Sequence, residues 1–333
     1  MRHSDFDSLS AFVCAIAGVL LSAWMSWWVP PAVAQEYPAR EIHAVTPVSA
    51  GSGGDILVRY YSDRLSKLAG KPVIVENKGG AQGIVGTEYA SRAKPDGYTL
   101  LITPASSMLA AQPHFFKKIS FDPFKDFTPV VTLAWLPFCI AVDARSPVKT
   151  IGELVASLKS KPANGFYGMT NNTGLATSEL LKQMNGLKTV QIPYKSSPQM
   201  LTALISGQVD FMVADSTFAS GHVRGGRIRV VAVTSASRSS SLPDVPTMKE
   251  SGYPDFELSA WWGVVVPAGT PRPIVLKLAG WFGQITALEE TRDFLFNVAT
   301  DVMPGTPESM AAMLKQEYER WGKLVALVKI EPQ

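Results

Sequence analysis

Cysteine is nearly absent from this chain: two in 333 residues, Cys14 and Cys139. Cys14 lies in an apolar N-terminal run, so the rest of the chain holds Cys139 alone and no internal disulfide can form there. Stability must come from a packed core. Cys139 itself sits in the apolar stretch from Trp135 to Val142 and lacks the exposed, electropositive surroundings of a reactive thiol, so it reads as a buried small hydrophobe. Histidine is also scarce. Beyond the N-terminal run only His43, His114 and His222 remain, and none stands in an H-E-x-x-H or Cys/His ligand spacing, so no metal site is expected. There is no G-x-S-x-G nucleophile elbow, no G-x-G-x-x-G fingerprint and no Gly-Lys-Ser/Thr phosphate loop. Asp55 and Asp215 each end a strand-like run, but such residues more often serve as a cap and an acceptor than as acid and base, so no catalytic residue and no cofactor are assigned. Charge of one sign is lacking too: 31 Lys and Arg stand against 28 Asp and Glu, a net +3. The charges are scattered, with no basic block or aromatic-basic ladder, which disfavours nucleic acid; a slight positive bias suits a small anion. No apolar run after the N-terminus reaches the roughly 18 residues of a membrane-spanning helix.

The N-terminus has a different character. An apolar run from Ala11 to Leu21 leads through Pro30-Pro31 to Ala32-Val33-Ala34, a small-x-small cleavage signal before Gln35. Residues 1–34 therefore read as a secretory signal peptide cut near Ala34-Gln35, and no Cys lies just before the cut, which disfavours a lipid anchor. Removing one Arg and two Asp with it leaves the exported chain at +4. The remainder, in a chain that is 46% hydrophobic and 18% charged, is ordinary globular material, enough for one large or two medium domains.

What the sequence does have is a series of strand-like runs that end in small, polar loops. The first is Glu41 to Val48, followed by Ser49-Ala50-Gly51-Ser52-Gly53-Gly54-Asp55 and then by Leu57, Tyr61, Leu65 and Leu68 at helical spacing. A strand, a Gly/Ser turn and a helix start leave unpaired N–H groups at a helix N-terminus, where a carboxylate or phosphate fits. The same loop can equally be a plain tight turn with Asp55 as the helix cap. A second glycine-rich turn, Lys78 to Gly86 with Gln82 in its middle, follows the strand Pro72 to Asn77; a helix with Ile84, Val85, Tyr89 and Ala93 inward comes next. The strand Tyr98 to Thr103 ends in Pro104-Ala105-Ser106-Ser107. Open parallel α/β sheets bind ligands beyond the carboxyl ends of their strands, so three loops aimed at one place outweigh any one of them.

Residues 112–130 read as an irregular connection, and Val130 to Val142 as a long strand leaving the first lobe. The plan then repeats. Thr150 caps a helix, Gly165 to Met169 is a strand, and Thr170-Asn171-Asn172-Thr173-Gly174 forms a polar loop before a helix with Ala176, Leu180, Leu181 and Met184 inward. Val190 to Tyr194 is a strand, a helix follows from Ser197-Pro198, Val209 to Ala214 is a strand ending at Asp215-Ser216-Thr217, and Ile228 to Thr234 is another. Trp261 to Val266 reads as a strand returning to the first lobe, ahead of two helices opened by Thr270-Pro271 and Thr306-Pro307.

Several motifs then become familiar: Tyr37-Pro38-Ala39-Arg40 through Asp55, Val75-Glu76-Asn77-Lys78-Gly79-Gly80-Ala81-Gln82-Gly83, Lys94-Pro95-Asp96-Gly97-Tyr98-Thr99, Ile192-Pro193-Tyr194-Lys195, Gly207-Gln208-Val209-Asp210, and Leu242-Pro243-Asp244-Val245-Pro246-Thr247. In this order they resemble the Bug/TctC family, the periplasmic solute-binding proteins of tripartite tricarboxylate transporters, from about Tyr37 to the C-terminus. The resemblance implies a type II periplasmic-binding-protein fold: two α/β lobes joined by two crossing strands, with a small carboxylate enclosed in a cleft between them. The lobes would be residues 35–138 plus 260–333 and residues 139–259. The ligand would be held by main-chain amides, hydroxyls and water rather than an Arg clamp, at Ser49, Ala50, Gly51, Ser52, Gly53, Asp55, Gln82, Ser106 and Ser107 on one side. On the other side stand Thr170, Asn171, Asn172, Thr173, Lys195 and Asp215. Asp215 would favour a ligand with an ammonium or hydroxyl donor. The chain would be periplasmic and monomeric, bind no nucleic acid, and hand its ligand to membrane transporter subunits or, on an alternative reading, to a sensor. It departs from the family pattern at Val48, where an aromatic is common, at Gly51-Ser52, where Gly-Gly is common, and in the shorter loop Met169 to Gly174, which lacks a histidine, so the ligand cannot be borrowed from a relative.

Overall fold

Strand β1 (Ile42–Thr46) opens the fold because four of its five residues, all but His43, are apolar or β-branched and buried, as in a strand covered on both faces. Helix α1 (Gly53–Ala69) follows, then β2 (Val73–Asn77), α2 (Ile84–Ser91) and β3 (Thr99–Thr103). Strands β2 and β3 pair with β1 in parallel, the geometry of consecutive βαβ units. A wide-turned helical segment, Ser106–Ala111, runs into the short helix Gln112–Phe115, so the stretch expected to be irregular is partly helical. The structure, a computed structural model, describes residues 37–239 and 241–332. The expected signal peptide, residues 1–34, lies outside the described residues. From Arg40 onward the chain packs as one unit.

Strand β4 (Phe127–Asp143) is 17 residues long and does two jobs. Its first part, Phe127 to Pro137, pairs antiparallel with β9 (Ser259–Pro267), which in turn pairs with β3. Its second part, from Phe138, pairs antiparallel with β7 (Phe211–Asp215) and β8 (Ile228–Val233). Between these lie α3 (Ile151–Lys159), β5 (Phe166–Met169), α4 (Asn172–Asn185), β6 (Val190–Pro193), α5 (Ser197–Ile205) and α6 (Ser216–Arg224). Strands β6 and β7 flank β5 in parallel. Helices α7 (Arg272–Ala287) and α8 (Glu289–Asn297), the two-residue strand β10 (Asp301–Val302) beside β4, and α9 (Pro307–Leu327) complete the chain. The strand order β2-β1-β3-β9-β4-β7-β5-β6 is therefore two parallel α/β sheets joined through β4 and β9. This is the two-lobed fold with two crossing strands.

Each lobe has its own core. Cys139 is fully buried among Ala141, Met200, Met212, Phe218 and Val233, as a small hydrophobe, and burial pushes its thiol far up from the ordinary range. At the junction of the lobes, fully buried Thr234 ties both crossing strands together. Phe138 N donates to Thr234 Oγ1 at 3.0 Å, Thr234 N donates to Phe138 O at 2.9 Å, and Leu258 N donates to Thr234 O at 2.8 Å. The Thr234 hydroxyl also donates to Leu258 O. Thr234→Val keeps the shape and strands the Phe138 amide without an acceptor. The expected cost is about 1–3 kcal/mol of unfolding free energy, read as a lowered denaturation midpoint.

Some helical faces differ from expectation. In α2, Val85 and Tyr89 are each 48% exposed, while Gly86, Thr87 and Ala90 face inward. The reason is close packing: a Cβ at Gly86 would stand 2.6 Å from Lys78 O and 2.9 Å from Pro47 Cα, so only small residues fit beneath this helix. Tyr89 instead takes the Lys78 ammonium over its ring at 4.0 Å. Leu68 and Met184, expected inward, are exposed.

Candidate functional site

The carboxyl ends of β1, β3, β5 and β7 face one cleft of about 730 Å³ between the lobes. That volume falls within the roughly 300–1,000 Å³ range of small-molecule sites. From the first lobe, Ser49, Ser52, Gln82 and Ser107 line it; from the second, Thr170, Asn171, Lys195 and Asp215. The structure thus brings eight of the fifteen expected residues to one place. Ala50, Gly51, Gly53, Asp55, Ser106, Asn172 and Thr173 stand outside its lining.

Most of the outlying residues have a local explanation. Ser52, not Asp55, caps α1: its hydroxyl accepts from Asp55 N at 3.3 Å, and the helix begins at Gly53. Asp55 turns away from the cleft. Its carboxylate accepts from Gly51 N at 3.0 Å, Arg59 Nε at 3.0 Å and Asn77 Nδ2 at 2.8 Å. Burial works to raise its pKa, but these hydrogen bonds and the Arg59 charge outweigh it and hold the carboxyl below its ordinary value. Asp55 therefore fixes the shape of the first loop and itself supplies negative charge to the positive end of α1. Ser106 is fully buried and its hydroxyl accepts from Trp261 N at 3.2 Å, joining the loop after β3 to β9. Asn171 caps α4 by accepting from Gly174 N at 2.9 Å, so the polar loop is shorter than expected. Behind it the Asn172 amide and the Thr173 hydroxyl are buried and carry no hydrogen-bond partner among the described residues.

The second glycine-rich loop is the most unusual backbone in the cleft. Gly80, Ala81, Gln82 and Gly83 have φ of 120°, 44°, 54° and 93°, four successive residues in conformations that L side chains avoid. Such a turn persists only where its surroundings hold it, and sites of this kind cluster at ligand clamps. Gln112 Nε2 donates to Gln82 O at 2.8 Å and Gly83 N donates to Gly80 O at 2.8 Å, which fixes the turn. Ala81 and Gln82 line the cleft together with Gly79, Gly80 and Gly83.

The lobes touch at the cleft's edge. Ser49 Oγ donates to Lys195 O at 3.1 Å. A Cβ on Gly53 would lie 2.0 Å from Asp215 Oδ1 and 2.8 Å from Phe218 N, so the absence of a side chain at Gly53 is what lets α1 meet Asp215. Asp215 Oδ1 accepts from Phe218 N at 2.8 Å and so caps α6, a helix that the run of Ser and Gly residues did not reveal. Burial pushes the Asp215 carboxyl up, against the pull of that hydrogen bond.

Sequence reasoning missed the floor apart from Val48. Leu136 and Phe138 from β4 and Ala260 and Trp262 from β9 line the cleft, joined by Val48 and Met108. In the sequence Leu136, Phe138, Ala260 and Trp262 are ordinary strand apolars, and only the crossing of β4 and β9 at the lobe junction exposes them to a ligand. A second, more open hollow of about 630 Å³ lies between Arg40, Tyr89, Arg92 and Lys94. It sits at the opposite, N-terminal ends of β1 and β3, and Arg40 and Arg92 are paired with Asp96 and Glu88. Among the described residues no cluster of His, Cys, Asp and Glu could hold a metal ion, and no helix is long and apolar enough to cross a membrane.

Two α/β lobes, two crossing strands and a cleft at the strand ends define a two-lobed solute-binding protein. Residues 57–330 match the tripartite tricarboxylate transporter family receptor, TctC, and the chain belongs to that family. It is a binding protein and not an enzyme. It is 35% identical over 306 residues to a UPF0065 protein of Bordetella bronchiseptica, covering 91% of this chain and 90% of that one. The solved periplasmic binding protein BugD superposes with a TM-score of 0.84 at 30% identity, over 89% of this chain and 100% of its own. R. palustris Rpa4515, solved with adipate, superposes with a TM-score of 0.85 at 30% identity, over 90% of this chain and 100% of its own.

Proposed function

We propose that the chain is a periplasmic receptor that captures a small carboxylated solute between its lobes and presents it to a tripartite tricarboxylate transporter. The observation that carries this is the cleft lined from both lobes by Ser49, Ser52, Ser107, Thr170 and Asn171 and by the strained Gly80–Gly83 turn. Hydroxyls and main-chain amides of this kind recognise a carboxylate without an arginine. Charge-assisted bonds contribute roughly 1.5–3 kcal/mol each, so three or four supply most of the about −8 kcal/mol of micromolar binding. The family match and the adipate held by Rpa4515 support the ligand class. In this proposal residues 1–34 are the signal peptide removed near Ala34-Gln35, and the lobes divide near Phe138 and Ala260. The ligand-lining set is Ser49, Ser52, Gln82, Ser107, Thr170, Asn171, Lys195 and Asp215.

A thermal-shift screen of carboxylates, amino acids and neutral amides tests the proposal. A true ligand at 100 times its Kd stabilises the protein by about 2.7 kcal/mol. The expected hits are carboxylates, lost when Ser107→Trp fills the cleft. Hits confined to neutral compounds, or carboxylate hits unaffected by Ser107→Trp, would overturn it.

A further inference from the structure

We infer that the cleft takes a monocarboxylate with an uncharged, largely apolar body in preference to a dicarboxylate, an inference that rests on the receptor function proposed above. The cleft is chemically two-sided. Donors for one carboxylate gather on the rim: the Ser52 hydroxyl and the backbone of the Gly80–Gly83 turn, joined by the hydroxyls of Ser49 and Ser107 when these give up their bonds to Lys195 O and Pro104 O. The floor is apolar, built by Val48, Met108, Leu136, Phe138, Ala260 and Trp262. Trp262 packs closely there, its indole edge filling the space beside Gly54: a Cβ on Gly54 would meet Trp262 Cη2 at 2.4 Å. An aliphatic or aromatic body extending from a rim-bound carboxylate lies along these side chains and gains about 25 cal/mol for each Å² of apolar surface removed from water.

The charges in the cleft favour a single anion, and the second-lobe side of its lining offers the neutral donors Thr170, Asn171, Tyr194 and Ser196 besides Lys195. Among the described lining residues Lys195 is the sole Lys or Arg, and it is exposed at the lip with its carbonyl engaged by Ser49. The one carboxyl in the lining is Asp215. It cannot swing away, since Oδ1 is bonded to Phe218 N at 2.8 Å and abuts Gly53 of α1. A second carboxylate would therefore meet apolar side chains, where an unpaired charge is costly, or Asp215, where like charges repel, or neutral second-lobe donors with no cation nearer than the exposed Lys195. A hydroxyl on the ligand, by contrast, could donate to Asp215. The raised pKa of Asp215 fits a carboxyl that already lacks a cationic partner.

Calorimetric titration with matched pairs decides the matter: hexanoate against adipate and benzoate against terephthalate, with hexanamide and benzamide as neutral counterparts. In each pair the monocarboxylate is expected to bind at least 10-fold more tightly than the dicarboxylate. Asp215→Asn, which keeps the α6 cap acceptor, is expected to narrow the gap by improving the dicarboxylate. A dicarboxylate that binds as tightly as its partner, or more so, overturns the inference while the carboxylate receptor stands. Binding only by the neutral amides, or by none of the six, overturns both. Because the unaltered protein supplies the primary comparison, a folding defect in the variant does not affect the outcome.

Discussion

Replacing Gly53 by valine is expected to weaken ligand binding by about 10- to 100-fold while leaving the ligand-free protein folded. The position is an inter-lobe contact rather than a core site. Its Cβ would stand 2.0 Å from Asp215 Oδ1 and 2.8 Å from the Phe218 amide. Neither can yield cheaply, since Asp215 Oδ1 is committed to capping α6 and the amide is backbone. Overpacking of this kind costs typically 1–3 kcal/mol, and each 1.4 kcal/mol is tenfold in affinity. The cost falls on the arrangement in which the lobes touch, so the variant should rest more open, with a near-normal unfolding midpoint. Gly280→Ala is the control: it lies in α7 with nothing within 4 Å of an added Cβ. Calorimetry and thermal denaturation on the two variants separate the effects. Unchanged affinity in Gly53→Val would mean that the bound protein does not bring α1 against Asp215.

Asp55→Ala should be the most damaging substitution in the first loop, although the residue does not line the cleft. It removes the acceptor for Gly51 N, Arg59 Nε and Asn77 Nδ2 together, from a residue only 5% exposed. Losing these three bonds is expected to cost about 1–3 kcal/mol in unfolding free energy, since water reaches the exposed Gly51 and Arg59 donors, with a further loss of affinity because Ser49 and Ser52 lose their fixed positions. The effect depends on pH with a definite sign. The folded-state pKa of Asp55 lies below the ordinary 3.8, so its stabilisation is complete above that value and is lost as pH falls through the folded pKa. Wild type and variant should therefore differ fully at neutral pH and converge under strong acid. A gap in denaturation free energy that stays constant down to the lowest pH would show that the Asp55 charge contributes nothing.

Much of this fold was legible in the sequence because turn chemistry and period agreed along the chain. Strand β4 stood out as an apolar run longer than a single sheet needs, β9 as the strand that returns to the first lobe, and the glycine and hydroxyl residues after β1, β3 and β5 marked the rim. Less was legible where packing overrode pattern. In α2 the apolar Val85 and Tyr89 point out, because Gly86 must approach the Pro47 backbone. Helix α6 was hidden, because Ser216, Ser220 and Gly221 resemble a loop until Asp215 is seen capping it. Asp55 looked like a ligand contact, but Arg59 one helical turn along and Asn77 across on β2 draw it inward. Apart from Val48, the cleft floor carried no signal: Leu136, Phe138 and Trp262 are indistinguishable from core residues until the two crossing strands place them between the lobes.

The most direct test of the inter-lobe cleft as the binding site is a crystal structure of the protein with the tightest carboxylate from the screen. The expected result is a carboxylate within hydrogen-bond reach of Ser49, Ser52 or Ser107 and the Gly80–Gln82 backbone, with the ligand body against Phe138 and Trp262. A ligand seated elsewhere, for instance in the open hollow beside Arg40 and Tyr89, with the cleft holding only solvent, would contradict it.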